Sequence, residues 1–100
     1  MNQRQLNKHI ENHKLWLETG GKEGKQANLN GKILQNLDLQ GADLGYCSFE
    51  KLNLQYANMQ NANLQNAWLT LCSLQNANLQ NANLRSCLFH NAIINHKTID

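Results

Sequence analysis

Every fifth residue from Leu29 to the end of the chain is apolar: Leu34, Leu39, Leu44, Phe49, Leu54, Met59, Leu64, Leu69, Leu74, Leu79, Leu84, Phe89, Ile94 and Ile99. Two places before most of them stands a small residue, as at Ala27, Ala42, Cys47, Ala57, Ala62, Ala67, Cys72, Ala77, Ala82, Cys87 and Ala92. Asn, Gln, Asp, Ser and Gly fill the positions between. A period of five matches neither an α-helix nor a flat strand, so the chain has to turn a corner once per repeat. One short strand and one turn per repeat bring four repeats round a square coil, and successive coils stack at about 4.8 Å. The large residue and the small one before it then point inward, filling a narrow tube without voids, while the other three positions face water. Asn, Gly and Asp at those outward places suit tight corners.

The first part of the chain follows another rhythm. Leu6, Ile10, His13 and Leu17 recur at helical spacing, with Leu15 and Trp16 beside them, and Gly20-Gly21 ends the run. The pattern predicts an amphipathic helix over residues 3–18. A stacked tube exposes core and open backbone edge at each end, and solenoids need a cap there. The helix is read as that cap, its stripe lying over Leu29, Leu34, Leu39 and Leu44. No matching segment follows Ile94, so the last coil presents Phe89, Ile94 and Ile99 to an uncovered end. This predicts end-to-end association, as a homodimer or with a second repeat protein that continues the tube. The alternative is that the last residues fold back over the end.

The runs Ala57-Asn58-Met59-Gln60-Asn61, Ala62-Asn63-Leu64-Gln65-Asn66, Ala77-Asn78-Leu79-Gln80-Asn81 and Ala82-Asn83-Leu84-Arg85-Ser86 resemble those of pentapeptide-repeat proteins, with their A-(D/N)-L-x-x pattern. The resemblance covers residues 27–99. It implies a right-handed quadrilateral β-helix, an all-β solenoid whose handedness comes from the family and not from the spacing. With the residues available, that fold has about 3.5 coils and stands about 17 Å tall, with an N-terminal α-helical cap. Residues 1–26 form the capping helix and a Gly-rich linker, and residues 27–100 form the β-helix. Lys32 and Lys97 depart from the pattern by placing charge in the small inward slot near the two ends, where fraying or snorkelling is expected. Leu37 and Leu52 enlarge the same slot.

Composition narrows the partners. The chain has 100 residues, no proline and only 16% charged residues. Residues 1–26 hold five Lys and Arg against three Glu, while residues 27–100 hold four basic against four acidic residues. The repeat body is neutral, without the basic stripe that nucleic acid requires. All three cysteines, Cys47, Cys72 and Cys87, fall in the small inward slot and are read as reduced core residues. With a polar N-terminus and no apolar run of membrane-spanning length, a cytoplasmic protein is expected.

Candidate chemistry is sparse. His9 and His13 are four apart, a spacing that can clamp a metal ion, but Glu11 sits one place late for the HExxH pattern and no third ligand can be placed. The pair is read as ordinary surface-helix residues. His90 and His96 fall at different corners. Gly20-Gly21-Lys22-Glu23-Gly24-Lys25 follows a helix and lacks the Gly-Lys-Ser/Thr ending of a phosphate loop, so it reads as a helix stop and linker. Asp38 and Asp43 point outward from adjacent faces, and inward cysteines build no nucleophile. No catalytic activity, metal or cofactor is expected.

Outward positions break pattern in one region. Residues 20 apart stack, so Trp68 lies between Ser48 and Leu88, and Leu71 stands with Gly31, Lys51 and Asn91. Ile33 and Ile93 are outward exceptions on the next face. Trp68, Leu71, Leu88 and Ile93 together predict an apolar partner-binding patch. Tyr46 and Tyr56 are read as isolated aromatics packing over Asn corners. The expected function is a non-enzymatic protein-interaction or scaffold module. The family resemblance adds a second expectation: some pentapeptide-repeat proteins mimic double-stranded DNA and bind DNA gyrase. That mechanism needs an acidic surface and a long dimeric rod, neither of which this neutral body supplies alone.

Overall fold

The computed structural model describes residues 1–94. Helix α1 spans Gln3–Glu18. Asn2 caps its start: the Asn2 side chain accepts the Gln5 N–H at 2.9 Å, and the Gln5 side chain accepts the Asn2 N–H at 3.0 Å. This reciprocal pair satisfies two of the donors that a helix start leaves open. Thr19 closes the other end, its hydroxyl donating to the Leu15 carbonyl at 2.8 Å and accepting the Glu23 N–H. Gly20 and Gly21 follow with positive φ, and the chain doubles back along the helix, the Lys25 N–H meeting the Asn12 carbonyl at 3.1 Å. Gly24 sits where that return is tightest. A Cβ there would collide with the Asn12 carbonyl oxygen, and φ is +72°.

Beyond residue 26 the backbone repeats with a period of 20. Parallel bridges join Ile33 to Asn53, Asp38 to Asn58, Asp43 to Asn63 and Ser48 to Trp68, and the series continues to Ser73 and Ile93. Four corners divide each period. A residue of positive φ, between 56° and 73°, recurs at every fifth place from Gly31 to Asn91. Each turn carries one such residue at its third position, and nearly all are closed by an N–H···O bond three residues back, as from Ala62 to Met59 at 3.1 Å. This is the type II pattern, which Gly and Asn adopt at least cost. The turn from Phe49 to Leu52 lacks that bond, and the Cys72 thiol takes the Phe49 carbonyl instead, at 3.3 Å.

The A-(D/N)-L pattern has a local cause. In seven described repeats the Asn or Asp oxygen accepts the N–H two residues on, as Asn63 does from Gln65 at 3.1 Å and Asn78 from Gln80 at 3.0 Å. These Asx turns satisfy a donor at the corner that the ladder does not use. The same column adds lateral bonds, with Asn63 donating to Asp43 at 3.0 Å and Asn83 to Asn63 at 3.4 Å.

One core fills the tube. Leu29, Leu34, Leu44, Phe49, Leu54, Met59, Leu64, Leu69 and Leu74 are all fully buried, with the small residues of the repeat between them. Leu52 is buried in its enlarged slot and Leu37 half-buried, while Lys32 is exposed at the first coil. Leu6 of α1 belongs to the same core, and Ile10 packs against it. Burial decreases toward the far end: Leu79 is nearly buried, Leu84 and Phe89 are half-buried, and Ile94 is 47% exposed.

Candidate functional site

The four patch residues all face solvent. Trp68 is 54% exposed, Leu71 44%, Leu88 49% and Ile93 53%. Trp68 and Leu88 are bridged neighbours in one column, and Ser73 and Ile93 in the next, so the set flanks the corner that Leu71 occupies. Three of them displace a locally favoured residue. Trp68 and Leu88 stand where Asn makes its Asx bond, and the N–H groups of Thr70 and His90 consequently have no partner among the described residues. Leu71 holds a φ of +59° at a position where Asn or Gly is the cheaper choice. The bulk is thus placed against local preference.

Tyr46 is not isolated. With Trp68, Gln26, Cys47 and Ser48 it lines a cleft of about 240 Å³, and Gln26 donates to the Tyr46 carbonyl at 2.9 Å. Ser48 is small, so the rings of Tyr46 and Trp68 bound a notch one rung deep. Sequence spacing could have found the pair, since positions 46, 48 and 68 lie on one corner and face. Tyr56 is 56% exposed.

Among the described residues the last bridge joins Ser73 to Ile93. The N–H groups of Met59, Leu64 and Leu69 donate to Asn78, Asn83 and Leu88 of the next coil. The equivalent N–H groups of Leu84 and Phe89, and the carbonyls of Ala82 and Cys87, have no partner among the described residues. Phe89 and Ile94 border this edge. Ile99, His96 and Lys97 lie outside the described residues.

His13 corrects the sequence reading. It is no surface residue but fully buried, and it does not share a site with His9, which lines a separate groove with Met1, Gln5, Asn28 and Lys32. Its Nδ1 accepts the Ala27 N–H at 2.9 Å, which leaves Nε2 to donate to the Gly45 carbonyl at 2.7 Å. The ring stacks on Trp16 with centroids 5.4 Å apart. Cys47 Sγ lies 3.4 Å from Nε2, but the pair forms no nucleophile. Burial, and then the charge of Asp43, push the Cys47 thiol far up. Burial also raises Cys72, and it pushes Cys87 up to about 11, with Cys72 adding to the effect. All three therefore stay protonated at neutral pH. Among the described residues no group of three or more His, Cys, Asp or Glu could hold a metal ion. No described helix is long and apolar enough to cross a membrane.

Residues 25–99 match the family model described as a pentapeptide repeat region. Among solved structures the chain is similar to the pentapeptide-repeat protein Rfr23 from the cyanobacterium Cyanothece 51142, at 22% identity, covering 78% of this chain and 67% of that one with a TM-score of 0.35. It is also similar to alr5209 from Nostoc PCC 7120, at 27% identity over 82% of this chain and 83% of that one, TM-score 0.27. A third likeness, at 25% identity and TM-score 0.22, is to HetL of Nostoc sp. strain PCC 7120, a pentapeptide-repeat protein involved in heterocyst differentiation regulation; it covers 69% of this chain and 47% of that one. A search of curated proteins finds no match. The family match over three-quarters of the length, together with the 20-residue ladder, places this chain in the pentapeptide-repeat family, whose members fold as right-handed quadrilateral β-helices.

Proposed function

We propose that the protein is a non-enzymatic interaction or scaffold module: about 3.5 coils, covered at one end by α1 and associating through the last described coil. The observation that carries this reading is a set of four exposed apolar side chains, Trp68, Leu71, Leu88 and Ile93, around one corner. Trp68 and Leu88 stand where Asn makes its Asx bond and Leu71 where Asn or Gly is cheaper, and with Ile93 they fall in the last two described coils. Sequences depart from local consistency most often where function requires it. Leu88, Ile93, Phe89 and Ile94 lie in the last described coil, with Trp68 one rung away, so corner and end make one apolar surface.

A second copy of the chain is the first partner this surface suits. With α1 over the first coil, a second copy has no room to stack a whole coil there, so copies meet tail to tail and the assembly closes at two. Docking of another repeat protein at the same edge is the alternative. Three reduced core thiols accord with a cytoplasmic setting.

Trp68 emission provides the test, in a Trp16→Phe background so that one indole reports. It should shift to the blue as concentration rises, and Ile94→Lys should cancel the shift. An emission maximum independent of both concentration and Ile94→Lys would overturn self-association through this surface.

A further inference from the structure

The opposite end of the molecule carries a groove that the reading above does not use. Gln3, Asn7, Ile10 and Lys14 form one stripe of α1, about 16 Å long. They stand over the edge of the first coil from Asp38 to Asp43, and the space between is about 400 Å³. Two edge rungs face into it. At Asp38 the rung is already filled, by a side chain. Gln3 Nε2 donates to the Asp38 carbonyl at 2.7 Å, and Gln3 Oε1 accepts the Asp38 N–H at 2.8 Å. One carboxamide thus makes both bonds that a neighbouring strand would make. A carboxamide and a peptide group have the same donor and acceptor, so this edge accepts peptide units.

At Asp43, one side further round, the rung is empty. Its N–H and C=O, and the Gln40 carbonyl between the two rungs, have no partner among the described residues. In the coil below, the matching groups of Asn63 and Gln60 are bonded to Ala42, Leu44 and Gly41. Charge around the groove favours a cation. Asp38 and Asp43 line it, while Lys14, its one basic member, pairs with Glu18 at 3.9 Å.

We propose that this groove docks a short extended peptide, which pairs with the Asp43 backbone by strand addition and places a Lys or Arg side chain toward Asp38 and Asp43. The site is independent of the Trp68 corner. It needs no displacement of Gln3, whose bond to Asp38 marks where the paired segment ends.

Amide chemical-shift titration of the full chain with acetyl-Ala-Lys-Ala-amide provides the test. Saturable shifts should appear at Gly41 to Leu44 and at Asn7, Ile10 and Lys14. Acetyl-Ala-Glu-Ala-amide should bind about tenfold more weakly, since its carboxylate meets like charge. Asn7→Arg fills the groove from the exposed side of α1 and should abolish the shifts while the dichroism of the helix is kept. Gln3→Ala vacates the second rung and should extend the shifts to Asp38. Absence of saturable shifts at millimolar peptide would overturn the proposal. So would equal binding of the two peptides, or shifts confined to the Trp68 corner.

Discussion

His13 accepts the Ala27 N–H at 2.9 Å, so one buried ring joins the middle of α1 to the first residue of the β-helix. The other ring nitrogen reaches Gly45, 32 residues away. His13→Ala would leave a buried N–H and a buried C=O unpaired beside a cavity. A loss of about 2–4 kcal/mol is expected in urea unfolding. His13→Gln, which can both accept and donate, should cost less; equal losses would contradict the two-bond role.

Gly24 lies where the linker turns back against Asn12 and Trp16, at positive φ with no room for a methyl group. Gly24→Ala is expected to destabilise by about 2–4 kcal/mol and to expose Trp16, seen as a red shift of its emission in a Trp68→Phe background. Gly20→Ala, with nothing near its Cβ, should cost distinctly less.

Trp68→Asn should raise stability by about 0.5–1 kcal/mol, because Asn restores the Asx bond to the Thr70 N–H. Leu71→Asn should gain a similar amount by relieving a left-handed leucine. Urea midpoints measure both. Destabilisation by either change would mean that these side chains support the fold rather than a contact.

Raised thiol pKa values give stability a sign with pH. A thiol held protonated in the fold contributes fully below its ordinary value of 9.0, and the contribution is lost as pH rises through the folded value, about 11 for Cys87. Cys47 and Cys72 act in the same direction. Urea midpoints should therefore fall from pH 9 upward, and fall less in a variant with alanine at all three positions.

The five-residue period made the coil legible because each repeat must hide one large and one small side chain, whatever the fine geometry. The helix was equally plain from Leu6, Ile10 and Leu17. Two features eluded pattern reading because they depend on partners distant in sequence. His13 reads as an ordinary surface-helix residue until Ala27 and Gly45 are beside it, and the Gln3–Asp38 rung joins residues 35 apart. The capping box was readable, since Asn2 and Gln5 have the required spacing. Tyr46 looked isolated because spacing was followed within columns and not across the corner to Trp68.

The central claim is that the last described coil and the Trp68 corner form a surface for association. Light scattering across a concentration series tests it most directly. The account predicts a mass that rises from the monomer value of 11.4 kDa toward twice that value, and a monomer at every concentration for Ile94→Lys. A wild-type mass of 11.4 kDa throughout the series would contradict it.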